Sequence, residues 1–246
     1  MKKSLTYIIF FDLLFVLLLS LSGVYGGIFS EVLYYLAFIL PIGMAFAVAK
    51  RGEVVFSPLK LKISSVNFGL TLPLVLPTLA LIFLVSWLTS LVMSYFGGSS
   101  TTDVSGNILL VIFTHAFLTA ALEEVLFRYI PLAYLLPHSK RWSVLISALL
   151  FSLVHCNLYQ IPYAFMAGVV FAVLDIALDS VVPSFTIHLV NNLASIFWLR
   201  YAGCGNFAVV YIAVLVTTAL LSLIPIFLMR KKYGERIASA FDKSER

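Results

Sequence analysis

Apolar residues run along this chain in blocks too long for the strands or amphipathic helices of a water-soluble core. Eight such blocks, at approximately 5–22, 28–49, 67–96, 107–134, 142–159, 161–178, 183–200 and 207–229, are separated by charged, Gly-rich or Pro-containing breaks. A helix that crosses a bilayer needs about 20 mostly apolar residues, and each block approaches or exceeds that length. The pattern therefore predicts an all-α fold, a polytopic transmembrane bundle of about eight spans. The breaks at Gly97 to Gly106 and Pro137 to Arg141 are too short to hold another domain, and no fixed-period repeat or low-complexity segment interrupts the chain. Residues 1–246 are read as one integral membrane domain ending in a basic cytoplasmic tail at 230–246.

Composition agrees and narrows the classes. Hydrophobic residues make up 62% of the chain and charged residues 11%, whereas soluble domains carry about 25% charged residues. Disorder is excluded more firmly, because disordered chains are poor in apolar residues. The net charge is +5, and its placement decides its meaning. With both termini cytoplasmic, the inner segments are 1–4, 50–66, 135–141, 179–182 and the tail from Arg230. They hold 14 of the 16 Lys and Arg residues, leaving Arg200 near an outer end and Arg128 within a span. This is the positive-inside distribution of a multi-pass protein of the cell membrane. It absorbs the basic excess, so a nucleic-acid partner is not implied.

Lys2 and Lys3 before an apolar run, followed by Ser20-Leu21-Ser22, also have the outline of a signal peptide. The run is long for a signal core, however, and cleavage would leave seven spans with an outer N-terminus. The first block is read as an uncleaved span. Cys156 and Cys204 both fall near predicted outer ends, where a disulfide and a pair of inert thiols are the alternatives. Trp87, Trp142 and Trp198 fit interfacial belts and lipid contact better than an organic cofactor site.

Ionisable groups at membrane depth are costly and mark functional candidates. They are Asp12 in the first span; His115, Glu123, Glu124 and Arg128 in the fourth; His155 in the fifth; Asp175 at the end of the sixth; and His188 with Asn191 and Asn192 in the seventh. Glu124 and Arg128 are four residues apart, the spacing of an ion pair on one helix face. Glu123 lies 100° round the helix, so one carboxylate can be committed to the guanidinium while the other is free for chemistry. Phe151 with His155, and His188 with Asn192, repeat the four-residue spacing. Each His alone reads as a helix-packing hydrogen bond, but three helices presenting such groups point to a wet chamber holding a carboxylate base, imidazoles and an amide donor. Asp175 and Asp179 are expected to be solvated at the inner rim, Asn191 to point to a different face from Asn192, and His115 to sit on roughly the side of Glu123.

Glu-Glu-x-x-x-Arg at Glu123, Glu124 and Arg128, Phe-x-x-x-His at Phe151 and His155, and His-x-x-x-Asn at His188 and Asn192 occur in that order within residues 107–200. In this the chain resembles the CAAX-protease and bacteriocin-processing (CPBP, or Abi) intramembrane proteases, related to the Rce-type CAAX prenyl endopeptidases. The resemblance implies that 107–200 is the catalytic core of an endopeptidase. Glu123 would be the general base, His155 would help hold the water, and His188 and Asn192 would stabilise the oxyanion. Glu124 and Arg128 would lock one another, and Phe151 would pack the chamber wall.

The family is commonly described as metalloproteases, and a metal-free glutamate mechanism is also argued for it. Zinc is therefore a candidate cofactor, with Glu123, His155 and His188 as its ligands and Glu124 as the base in that case, although no His-Glu-x-x-His helix is present. The metal-free reading is slightly preferred. The expected partner is a membrane-associated peptide or protein, in peptide processing or bacteriocin self-immunity and with CAAX-type C-terminal processing as a further option. A small proton-coupled transporter is the competing class, against which the lack of paired repeats counts. A catalytically silent immunity or scaffold protein is the other.

Overall fold

A computed structural model describes residues 1–62, 64–95 and 105–241. The expected loop at 97–104 and the tail residues Lys243 and Arg246 lie outside them. The chain forms α1 (Lys2–Val24), α2 (Ile28–Lys50), α3 (Ser65–Ser94), α4 (Ile108–Leu135), α5 (Lys140–Leu153), α6 (Ile161–Leu178), α7 (Val182–Tyr201), α8 (Phe207–Leu228) and α9 (Arg230–Phe241). Among the described residues no strand occurs, only an isolated parallel bridge between Lys60 and Ser180. The first eight helices match the eight apolar blocks.

Local chemistry sets the helix ends. Ser64, Asn107 and Ser139 cap α3, α4 and α5 by accepting hydrogen bonds from backbone N–H groups of the first turn. Pro162 and Pro183 stand in the first turns of α6 and α7, where a missing N–H costs nothing. Asp179 ends α6 in the left-handed conformation at φ 49°.

Among the described residues, six helices are long and apolar enough to cross a membrane: α1, α2, α4, α6, α8 and the Asn67–Met93 stretch of α3. The other two of the eight are instructive. α5 has 14 residues, about 21 Å at 1.5 Å per residue, so the block expected to reach residue 159 stops at Leu153. α7 has 20 residues, but its run is interrupted by His188, Asn191, Asn192 and Ser195.

α4 is the hub. Every residue from Leu126 to Leu135 is buried, as expected of a helix surrounded by others. Phe11 and Phe15 of α1, Phe38 of α2 and Phe127 of α4 join in the main core cluster, where Phe15 meets Phe38 and Phe127 edge-on at 4.8 and 5.0 Å between centroids. Tyr134 donates to the Ala45 carbonyl at 2.6 Å, tying α4 to α2.

Short connections force neighbouring helices to alternate in direction. The start of α1, the α2–α3, α4–α5 and α6–α7 connections and α9 therefore gather at one end of the bundle, here the basic end. There Ser57 N–H donates to the Ala133 carbonyl, Lys60 pairs with Asp179 at 2.7 Å, and Tyr233 donates to the Leu70 carbonyl. Glu53 accepts from the Tyr7 hydroxyl and lies 3.8 Å from Lys3. The Tyr7 hydrogen bond, more than the nearby cations, holds the Glu53 carboxyl below its usual range.

α5 and α6 approach most closely where both are small. A Cβ built on Gly168 would lie 2.9 Å from Ala148 Cα and 3.0 Å from its Cβ, a backbone contact that no rotamer change relieves. Small residues at such crossings are what let helices pack in lipid. Gly168→Ala is expected to force the two helices apart at about 1–3 kcal/mol, read as a lowered unfolding midpoint of the purified protein in detergent. A wild-type midpoint would refute the close approach. Glu53 yields a pH-dependent outcome. Its contribution is present above the unfolded carboxyl value of about 4.3 and is lost as pH falls through its lower folded value. The midpoints of wild type and Glu53→Gln should therefore differ at pH 7 and converge in acid; a difference that grows in acid would contradict the assignment.

Candidate active site

Glu123 and Glu124 sit near the middle of α4 on a short α-helical stretch between two π-helical turns, Ile112–Leu118 and Val125–Tyr129. The adjacent carboxylates part company. Glu124 is 4% exposed at its side chain and lies between Arg128 Nε at 3.4 Å and His188 Nδ1 at 2.8 Å. Glu123 is 17% exposed, with Oε2 3.5 Å from His188 Nε2. One acid is committed to two partners, and the other, beside His188, faces the cavity.

Arg128 is fully buried, and its surroundings explain how a guanidinium survives there. Nη1 donates to Ser147 Oγ at 2.7 Å, and Ser147 in turn donates to the Phe127 carbonyl at 2.7 Å. The guanidinium carbon lies 5.3 Å from the Phe151 ring centroid and 5.8 Å from that of Phe171, distances at which aromatic quadrupoles attract a cation. Ser147 of α5 thus tethers Arg128 of α4, a contact that no motif spacing reveals.

His188 joins α7 to α4. A carboxylate only accepts, so Nδ1 donates its hydrogen to Glu124, and Nε2 is left towards Glu123. Phe151 meets the rings of both His188 and His155 edge-on, at 5.5 and 5.2 Å. His155 lies two residues beyond the end of α5 on the turn that follows, a correction to its expected place within a span. The i, i+4 relation to Phe151 survives as a hydrogen bond from His155 Nδ1 to the Phe151 carbonyl at 2.8 Å. A carbonyl also only accepts, so Nδ1 carries the hydrogen and the neutral ring keeps its Nε2 lone pair.

Glu123, His155, His188, Asn192 and Phe151 all line one cavity of about 300 Å³, room for about ten waters. His115, Thr119, Tyr34, Gln160, Tyr163, Asn191 and Ser195 also line it. Asn191 is a correction to the expected separate face. The cavity is bounded by several helices and wraps more than one residue step round α7, so neighbouring residues both reach it. Asn191 Nδ2 lies 3.4 Å from Asn192 Oδ1, which occupies the Asn192 acceptor and leaves its Nδ2 as a donor.

His115 reaches the cavity through backbone geometry. Eight residues of ideal α-helix would leave it about 80° round from Glu123; the π turn over Ile112–Leu118 places an extra residue in that interval and offsets the drift. Tyr34, Gln160 and Tyr163 come from distant or unpatterned positions and carry no sequence signal. A four-residue step from His115 to Thr119 to Glu123 could have found Thr119.

Asp175 is a third correction. It is fully buried, and its Oδ1 accepts from the Ser184 backbone N–H at 3.0 Å. The carboxylate of α6 thereby caps the first turn of α7, one turn before His188. Asp179 keeps its expected exposure. Cys156 and Cys204 are both exposed free thiols.

The zinc option meets a geometric test here. Among the described residues, no three His, Cys, Asp or Glu side chains converge as metal ligands do, and both ring nitrogens of His188 face glutamates. Glu123, His155 and His188 do not fit a three-ligand site in this arrangement, and no step below passes through a metal.

Residues 105–194 match the family model described as "Type II CAAX prenyl endopeptidase Rce1-like". The matched stretch, more than a third of the chain, begins just before α4 and ends two residues after Asn192. No curated protein and no solved structure matches the chain.

Removing one partner from a buried ion pair costs about 3–5 kcal/mol, so Arg128→Met should lower the unfolding midpoint in detergent strongly. Ser147→Ala, which strands the Nη1 donor, should cost about 1–3 kcal/mol. Wild-type midpoints in both variants would show that neither contact holds the helices together.

Proposed function

We propose that this chain is an intramembrane endopeptidase of the CPBP/Rce1-like kind, supported by the match of residues 105–194 to that family's model, and that it uses a glutamate-activated water. The observation that carries this reading is the division between adjacent acids: Glu124 is held by Arg128 and His188, while Glu123 is left on the cavity with His155, His188 and Asn192.

The chemistry follows from which atoms are free. Glu123 takes a proton from a water that His155 holds by accepting its other hydrogen at Nε2. The water oxygen bonds to the peptide carbonyl carbon, and the π electron pair moves to the carbonyl oxygen. Asn192 Nδ2 donates to that oxyanion. His188 donates to it through Nε2 only as an imidazolium, because its Nδ1 hydrogen is already given to Glu124. Collapse of the intermediate breaks the C–N bond, and Glu123 returns its proton to the leaving amine. A donor placed for the oxyanion acts mainly on the transition state.

The substrate is a peptide segment of a membrane-associated peptide or protein, with peptide processing or bacteriocin self-immunity as the biological setting. The protein lies in the cell membrane with its basic end and both termini in the cytoplasm, the orientation its Lys and Arg distribution favours.

The test is cleavage of a library of membrane-anchored and secreted precursor peptides by the purified protein. Glu123→Gln is expected to lower kcat by about 10²–10⁴-fold, the range of general-base catalysis. Asn192→Ala should lower it by about 10²–10³-fold with KM little changed. Full activity in Glu123→Gln would sink the mechanism.

A further inference from the structure

The cavity is not centred in the bundle. Its lining residues come from the middle of the helices and from the end opposite the basic one. Gln160 and His155 stand on the α5–α6 connection, Leu199 is two residues from the end of α7, and Tyr34 is six residues into α2. All four belong to the far end. In the other direction the lining stops short of the basic end. His188 is six residues beyond the start of α7, about 9 Å along the axis, and Phe171 lies seven residues before the end of α6. Among the described residues, none of those lining the cavity belongs to the connections at the basic end.

What lies below the cavity is closed. The Glu124 and Asp175 side chains are buried, and Leu126 to Leu135 of α4, Arg128 among them, form an uninterrupted buried stretch towards the basic end. The loop after α2 crosses the same end, where Ser57 is bonded to α4 and Lys60 to the α6–α7 turn. A peptide could not reach Glu123 from that end without unpacking the core.

The charge distribution and the cavity thus point in opposite directions. Among the described residues the Lys and Arg side chains gather at the closed end, apart from Arg128 buried within the bundle and Arg200 at the open end.

We propose that the chamber is reached from the extracytoplasmic side of the membrane, so that its substrate is a peptide segment that has already crossed the bilayer. This deepens the endopeptidase reading and rests on it. The segment must enter extended, since hydrolysis requires its backbone carbonyl to reach Glu123 past the rim.

The chain carries its own reporter. Cys156 is exposed and adjoins His155 at the open end. Sealed right-side-out vesicles from expressing bacteria would be treated with a membrane-impermeant maleimide. One sample carries Cys204→Ser, leaving Cys156 as the sole thiol. Another combines Cys156→Ser, Cys204→Ser and Lys62→Cys, reporting on the closed end. An impermeant quenched-fluorophore peptide library would be added to right-side-out vesicles, to inside-out vesicles and to detergent-solubilised wild type.

Cys156 should label without permeabilisation and the Lys62→Cys thiol only after it, with cleavage at least about ten-fold faster in right-side-out than in inside-out vesicles. Labelling of Cys156 only after permeabilisation, or cleavage in detergent and in inside-out vesicles alone, overturns the proposal while leaving the peptidase reading intact. Outward labelling of Cys156 without cleavage even in detergent overturns the peptidase reading and the substrate assignment with it.

Discussion

Glu124 is the constraint on which the site depends. Its two oxygens engage different helices' worth of structure: one faces Arg128 on its own helix, which is tethered through Ser147 to α5, and the other accepts from His188 on α7. A carboxylate at this depth without partners would be prohibitively costly. Buried ion pairs often contribute little net stability compared with apolar packing, while losing one partner is expensive. What Glu124 contributes is register: α4, α5 and α7 can satisfy all three groups together in only a narrow range of rotations and offsets. His188 is therefore aimed by the same atoms that keep Glu124 occupied, and Glu123, beside the far nitrogen of His188, keeps its carboxylate on the cavity.

The backbone of α4 reinforces that division. An α-helix interrupted by two π turns departs locally from the regular hydrogen-bond ladder, and such turns are frequent at functional sites. Here the α-helical stretch Thr119–Glu124 carries the acids, and the flanking turns adjust what lies before and after it. On one side His115 is brought round to the cavity; on the other, Arg128 is set back into the core between Phe151 and Phe171. The helix changes character at its midpoint, from a wall of the chamber to the hub of the dry core.

The membrane made much of this legible in advance. Lipid tolerates only long apolar helices, so the spans follow from hydropathy, and the expense of ionisable groups at depth drew attention to Glu123, Glu124, His155 and His188 before any geometry was known. Other features were hidden for equally physical reasons. Asp175 sits four residues from the exposed Asp179 near a helix end, and nothing in composition distinguishes them; only the packing of the first turn of α7 against α6 makes one a buried cap and the other a rim charge. The early end of α5 was masked because Val154 and the residues after it are still partly apolar. Tyr34, Gln160 and Tyr163 reach the cavity from segments whose polar residues look like ordinary interfacial decoration. Hydropathy reports how far a helix runs and is silent on which neighbours surround it.

The two helices that fall short as membrane spans are the ones that deliver His155 and His188, and the reason is the same in both. A chamber that holds water and a peptide backbone needs polar walls, and a polar wall cannot also face lipid along its whole length. α5 resolves this by stopping early, which places His155 on a turn at the mouth of the cavity, where its Nδ1 can be fixed by the Phe151 carbonyl. α7 resolves it by staying among other helices while carrying His188, Asn191 and Asn192 on the cavity side. Both solutions put polar groups in the half of the bundle away from the basic end, since the other half of α4 is enclosed by apolar neighbours. The asymmetry of the chamber is thus a consequence of how α4 is packed: a helix buried on every side over its last ten residues leaves space for chemistry only along the part that precedes them.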